Sequence, residues 1–360
     1  QSMKQEIDYL IVGQGIAGTL LSYQLINKGY KVRVIDDNHK SSSTIVAAGL
    51  INPLVLKRLT KTWRAEEFLA YNELHYHQLE KHLKTKFYHN TPILKLINSD
   101  DEFKFWKHRS TNDEVKAFIS DEFLDLSEYR FLKNYKGALV NNTAWIDTTT
   151  LLKAYQKKLV KDNLLLQESF DFNQLVVGEK ILEYKNTTTK QLIFCQGFKS
   201  NNNPFFDWIP LSLVKGELIT IHSIEMSDEY IFNKKVFILP LGHHLYKIGA
   251  TYDWGDLSLA TTEAKRDSLI NDLNELIQCK YTVVEQSAGI RPAVKDRRPV
   301  FGSHPIHQNI SIVNGLGSRG LMMAPKLIDE FIDFQENGTS LDKEVDIKRY
   351  YSEFKPDSIY

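Results

Sequence analysis

Six residues near the start of the chain restrict its fold more than any bulk property does. An apolar run from Ile7 to Val12 leads into Gly13-Gln14-Gly15-Ile16-Ala17-Gly18, and Ala17, Leu20, Leu21, Gln24 and Leu25 then recur with helical period until Gly29. Lys31 to Ile35 reads as a second strand. A GxGxxG string alone arises by chance in loops, but between a strand and a helix, with a second strand after them, it is a dinucleotide fingerprint. Gly13 permits the tight turn, Gly15 lets the backbone approach a pyrophosphate, and Gly18 lets helix and strand pack closely, while the helix N-terminus offers N–H groups to the phosphates. Asp36 closes the second strand, where a carboxylate accepts hydrogen bonds from ribose hydroxyls. No Arg comes after it to meet a 2′-phosphate, which argues against NADP. Asp37 is a weaker ribose candidate and more simply a solvated neighbour.

The fingerprint alone does not separate NAD from FAD, but the next segment of the chain does. Ser41 to Pro53 (SSSTIVAAGLINP) is a run of small residues suited to backbone lying against a flat ligand, where an NAD domain would more usually continue into a regular helix and strand. Here the chain resembles the glycine oxidase and D-amino-acid oxidase superfamily, whose Ser/Thr-rich, Ala-Ala-Gly segment passes the flavin ring. The resemblance continues through Trp145-Ile146-Asp147 ahead of a helix bearing Leu151, Leu152, Tyr155 and Leu159, the late strand Leu192 to Gly197, Lys215-Gly216-Glu217-Leu218, and Lys247 to Thr251. It is most specific in Ala288-Gly289-Ile290-Arg291-Pro292 with Asp296, Pro299 and Gly302, and in Asn314 to Leu321 (NGLGSRGL) before the last helix. That helix reads well by itself: Pro325 suits its first turn, Leu327, Ile328, Phe331 and Ile332 share a face, and Gly338 ends it. The turn at 315–321 is also similar to the oxidase half of the bifunctional enzyme that matures carboxymethylaminomethyl-uridine at the tRNA wobble position.

The resemblance implies that Gly13, Gly15, Ile16, Ala17, Gly18, Asp36, Asp37, Thr44, Ala47, Ala48, Gly49, Leu50, Cys195, Gly197, Arg291, Gly315, Gly317, Ser318, Arg319, Gly320 and Leu321 surround a noncovalent FAD. It also implies that Arg291 binds a substrate carboxylate, its plainer alternative being an ion pair. Arg319 contacts the flavin or the carboxylate, or caps the fold. Tyr246 and Tyr252 flank the Gly249-Ala250 segment, either lining the pocket or packing in the core. His243-His244 reads as an exposed turn rather than a metal site. Phe68, Tyr71, His75, Leu79 and Leu83 mark an amphipathic core helix. Gln196 departs from the small residue usual before the late glycine, and no Glu or His stands out as a proton acceptor.

Length argues for two packed domains, because single cores stop growing at roughly 250–300 residues. The motifs at both ends must meet, so the expected fold is α/β: a Rossmann-like FAD-binding domain (3–84, 141–209 and 291–360) interleaved with a mixed-sheet substrate domain (85–140 and 210–290). With 45 basic and 45 acidic residues the net charge is zero, which predicts no bulk attraction to nucleic acid or anionic lipid. Cys195 and Cys279 fit no zinc or CxxC spacing and read as reduced thiols, suited to the cytoplasm. No apolar run is long enough for a membrane helix, the first strand leaves no room for a signal peptide, and Gln1-Ser2 before Met3 looks like an expression scar. The expected activity is oxidation of the C–N bond of a small amine or amino acid, with molecular oxygen or another acceptor taking the electrons. Oxidation of a modified tRNA uridine is not favoured, and a non-catalytic FAD fold is the third reading.

Overall fold

The computed structural model describes residues 3–38 and 43–356; Gln1-Ser2 and the Ser41-Ser42 part of the small-residue run lie outside the described residues. The first strand, Gln5–Val12, pairs in parallel with Val32–Asp36 on one side and Thr187–Phe194 on the other. Leu165–Gln167 extends the sheet beyond Val32–Asp36, and Ile310–Asn314 lies beyond Thr187–Phe194, again in parallel. The carboxyl-terminal parts of the two central strands, Tyr9–Val12 and Leu192–Phe194, are continuous apolar runs because both faces are covered there. On one side Ile11, Val34, Ile193 and Val313 meet Leu20, Leu21, Leu151, Leu152, Leu327, Ile328 and Phe331 from three helices, Ile16–Asn27, Thr148–Lys161 and Gly320–Asn337. On the other side Leu10, Val12, Phe194 and Ile312 pack with Tyr184, Phe206 and Ile209. Chain order reverses at the first strand, so a crevice opens at the carboxyl ends of the strands, where doubly wound folds bind ligands.

A second sheet is ordered Thr282–Val294, Leu211–His222, Leu245–Gly249, Phe237–Gly242, Ile231–Asn233, Ile93–Ile97, Lys136–Val140, Ile119–Asp125. Strand Thr282–Val294 runs unbroken through 290/291, where the sequence suggests a domain limit. Period-two alternation sorts this sheet into two faces. Ile219, Ile221, Tyr246 and Ile248 pack against Leu269, Leu273 and Leu276 of helix Glu263–Leu276. Leu218, Phe237 and Gly249 turn the opposite way, toward the crevice.

Helix Ala65–Leu83 buries Phe68, Asn72, Tyr76 and Leu79, each apolar side chain contributing roughly 1.5–3 kcal/mol. Its buried stripe is rotated from the expected one: Tyr71, His75 and Leu83 are only partly covered, and Tyr76 is fully buried. The reason lies in the last helix. Pro325 is its sixth residue rather than part of its first turn, and proline has no N–H for the Leu321 carbonyl one turn earlier. The Tyr76 hydroxyl donates to that carbonyl instead, at 2.6 Å. Gly338 ends the helix in the left-handed conformation, as its position predicts. No helix among the described residues is long and apolar enough to cross a membrane.

Candidate functional site

The crevice encloses about 710 Å³ and runs from Asp36 and Asp37 past the first helix to the second sheet. Its dinucleotide end is built by close backbone approach. Gly13 has φ +107°, and a Cβ there would strike the Cys195 carbonyl oxygen; a Cβ on Gly18 would strike the Gly13 carbonyl oxygen. Gly18 therefore packs helix on strand and does not line the crevice, whereas Gly13, Gly15, Ile16 and Ala17 do. Gly15 has no side chain to cap the helix and the first turn carries no acid, so apart from the Ile16 N–H its positive end is left to a ligand anion. Asp36 is held at the strand end by the Gln14 backbone N–H, which donates to its Oδ1 at 2.9 Å. Asp37 also lines the crevice but is ion-paired with Lys199, so it is not simply solvated. The small-residue run passes along the wall through Thr44, Ala47, Ala48, Gly49 and Leu50. Thr44 accepts the Ile16 N–H at 3.2 Å, joining this run to the helix start.

Cys195, Gly197, Gly317, Ser318, Arg319, Gly320 and Leu321 complete the wall from the late strand and the C-terminal turn. Burial pushes the Cys195 thiol up, so it stays protonated. Gly315 does not line the crevice: at φ +74° it turns the chain against Val294 and Pro299, a structural role. Gln196 lines it, with its side-chain carbonyl accepting from Asn203 Nδ2 at 2.9 Å.

At the far end stand two half-buried guanidiniums. Arg291 rises from strand Thr282–Val294, lies over Gly216 where any Cβ would collide with it, and donates from both terminal nitrogens to the Thr251 carbonyl at 3.3 Å. The Tyr252 ring faces it, with the guanidinium carbon 4.3 Å from the ring centroid. Arg319 donates to the Asn52 and Leu54 carbonyls at 2.9 and 3.3 Å. Burial lowers the pKa of both, and among the described residues neither has a carboxylate partner. Desolvated cations of this kind are costly without a counter-charge.

Tyr246 does not belong to the site. It shares strand parity with Ile248 rather than Gly249, so its ring packs under helix Glu263–Leu276 and its hydroxyl donates to the Met226 carbonyl at 2.8 Å. His243 and His244 form the tip between Phe237–Gly242 and Leu245–Gly249, exposed, and among the described residues no His, Cys, Asp and Glu group could hold a metal. Sequence reasoning missed Gln14, Glu168, Ser169, Phe170, Phe172 and Lys199, all on the crevice wall. The loop at 168–172 reaches it because Leu165–Gln167 pairs with Val32–Asp36, a long-range pairing without a local motif.

The family model described as FAD dependent oxidoreductase matches residues 8–327. The chain is 24% identical over 306 residues to the tRNA 5-methylaminomethyl-2-thiouridine biosynthesis bifunctional protein MnmC of Campylobacter jejuni subsp. doylei, covering 81% of this chain but only 45% of that protein. It is 21% identical over 349 residues to glycine oxidase of Bacillus subtilis, covering 90% and 91% of the two chains. The iminodiacetate oxidase structure from Chelativorans sp. BNC1 superposes with a TM-score of 0.78 at 18% identity, covering 95% of this chain and 98% of that one. The residues present fit FAD: a helix N-terminus with glycine at its cap and no acid in its first turn for the diphosphate, Asp36 for a ribose, and a wall of small residues leading to the two guanidiniums.

Proposed function

The chain belongs to the FAD dependent oxidoreductase family, and from that premise we propose that it oxidises the C–N bond of a small amine or amino acid bearing a carboxylate. The observation that carries this reading is the pair of half-buried guanidiniums, Arg291 and Arg319, without an acid beside either among the described residues. A substrate carboxylate supplies the missing charge, and the planar fork of Arg291 takes it through two parallel hydrogen bonds. The Tyr252 ring and the Thr251 carbonyl hold that fork in one plane.

FAD, when bound, supplies a two-electron acceptor for the C–H bond next to nitrogen. The residues of the chain position and desolvate. Two nearby cations disfavour the ammonium form of the substrate, leaving a neutral amine whose lone pair assists C–H cleavage, so no dedicated base is required. The amine loses two electrons and two protons to become an imine, which water hydrolyses; molecular oxygen or another acceptor finally takes the electrons. Cys195, protonated and buried, offers no thiolate for covalent attachment, in keeping with a noncovalent cofactor.

The test is the visible spectrum before and after acid precipitation, then anaerobic addition of glycine, sarcosine, proline, D-amino acids and secondary amines. Release of flavin and bleaching by one carboxylate-bearing amine is the expected result; a flavin reduced by no member of the panel overturns the assignment. A second reading, oxidation of a modified tRNA uridine, is supported by the likeness over 81% of this chain to the tRNA-modifying relative. The zero net charge weighs against it. Salt-sensitive tRNA binding distinguishes the two.

A further inference from the structure

Gln196 brings a long amide to a position where a small residue is usual, two residues beyond the Val12/Phe194 pair and so beside the glycine turn. The two backbones touch there: the Cys195 N–H donates to the Val12 carbonyl at 2.7 Å, and the Cys195 carbonyl is what a Cβ on Gly13 would strike. Gln196 lines the crevice together with Gly13, Gln14 and Gly15.

The orientation of its amide is fixed by a chain of hydrogen bonds that starts on the backbone. The Phe205 N–H can only donate, and it donates to Asn203 Oδ1 at 2.9 Å. Asn203, which is 1% exposed, therefore presents Nδ2 to Gln196, whose Oε1 accepts at 2.9 Å. Gln196 Nε2 is thereby turned away from Asn203, and among the described residues neither of its N–H bonds meets an acceptor. The segment is braced as well. Asn314 Nδ2 donates to the Gly197 carbonyl at 2.8 Å and to Ser200 Oγ at 2.6 Å, tying it to the end of strand Ile310–Asn314. A donor held in place before its acceptor arrives loses little freedom on binding.

Charge decides which acceptor it suits. Of the described residues that line the dinucleotide end, Asp36, Asp37 and Glu168 are acidic, Lys199 alone is basic, and Lys199 is committed to Asp37. No cation there is left for a diphosphate, so neutral donors must meet it. We propose that Gln196 is a cofactor-holding residue: its amide, preset by Asn203, donates to the diphosphate of FAD and supplies the grip that a cation would otherwise give. The proposal is independent of which amine is oxidised.

The test uses the purified holoenzyme. The Kd for FAD is read from the flavin that passes an ultrafilter on serial dilution, and the Ki values of ADP and adenosine from the FAD they displace. In Gln196→Ala the FAD Kd and the ADP Ki should rise together, about 10- to 100-fold for one hydrogen bond to a charged acceptor, while the adenosine Ki stays within about 2-fold. Gln196→Glu should lose more, because it sets a carboxylate beside phosphate. Asn203→Asp keeps an acceptor for the Phe205 N–H but has no N–H for Gln196; it should weaken FAD too, and adding it to Gln196→Ala should weaken FAD no further. An FAD Kd in Gln196→Ala within about 2-fold of the parent refutes the proposal. So does an equal rise for ADP and adenosine, which moves the contact to the nucleoside, or a rise for FAD alone, which moves it to the flavin half. If Asn203→Asp yields no folded protein, the constants of Gln196→Ala decide.

Discussion

Replacing Arg291 by methionine keeps most of the side-chain volume and removes the charge. In the crevice the guanidinium meets no carboxylate among the described residues, and its two hydrogen bonds go to a single carbonyl at 3.3 Å. Removing it therefore costs the resting fold little, and relief from desolvation should leave Tm unchanged or raised. A substrate carboxylate about 4 Å away at an effective dielectric near 20 interacts by about 4 kcal/mol. At 1.36 kcal/mol per decade this is a loss of about 10³-fold in kcat/KM for a carboxylate-bearing amine. The same amine without its carboxylate should lose far less. Arg291→Lys should fall between, since it keeps the charge and loses the fork. The assay is steady-state kcat/KM on matched pairs, for example sarcosine and dimethylamine, with Tm followed in parallel. A Tm drop of several degrees with unchanged discrimination between the pair would show that Arg291 is structural and would refute the reasoning.

Tyr76→Phe should destabilise by about 1–3 kcal/mol in chemical denaturation, because it leaves the buried Leu321 carbonyl unsatisfied, and Pro325→Ala in that background should recover much of the loss by restoring an N–H. Tyr246→Phe should lower stability by about 1 kcal/mol and leave the KM of every substrate unchanged; a raised KM would return that residue to the site. Burial holds His304 near a pKa of about 4, below its ordinary 6.5, so the unfolded chain binds more protons between those values. Its contribution is present above pH 6.5 and lost as pH falls towards 4, up to about 3 kcal/mol. A pH series of Tm should be flatter in His304→Asn, which keeps an acceptor for the Ile306 and His307 N–H groups. Gly15→Val should abolish flavin binding, seen as loss of visible absorbance and of any Tm rise with added FAD.

The dinucleotide end was legible because its signal is local: the turn, the helix start and Asp36 fall within one short stretch of chain. Arg291 and Arg319 were found through likeness to a family, and their isolation from acids emerged only in three dimensions. Tyr246 illustrates what pattern cannot settle. Proximity to Gly249 suggested the pocket, but one residue of strand register sends the ring to the opposite face. Pro325 was misplaced for a similar reason, since its tolerance inside a helix depends on a tyrosine from a distant segment. Lys215 and Glu217 gave no sign of being buried, because a charged residue in a strand reads as solvent-facing until its partners are known.

Strand Thr187–Phe194 sits between the first strand and Ile310–Asn314, and that arrangement governs the order of assembly. During synthesis the first strand is available long before Thr187–Phe194, and the Leu192–Phe194 edge stays open until residues beyond 310 leave the ribosome. Ile193 and Phe194, wholly buried at the end, are exposed in that interval. Such high contact order slows folding and leaves time for wrong pairings. FAD therefore acts at the close of folding: its walls come from residues about 300 apart in sequence, so its binding ratifies that both ends have met. Shortage of flavin should be felt in the yield of folded protein before it is felt in turnover.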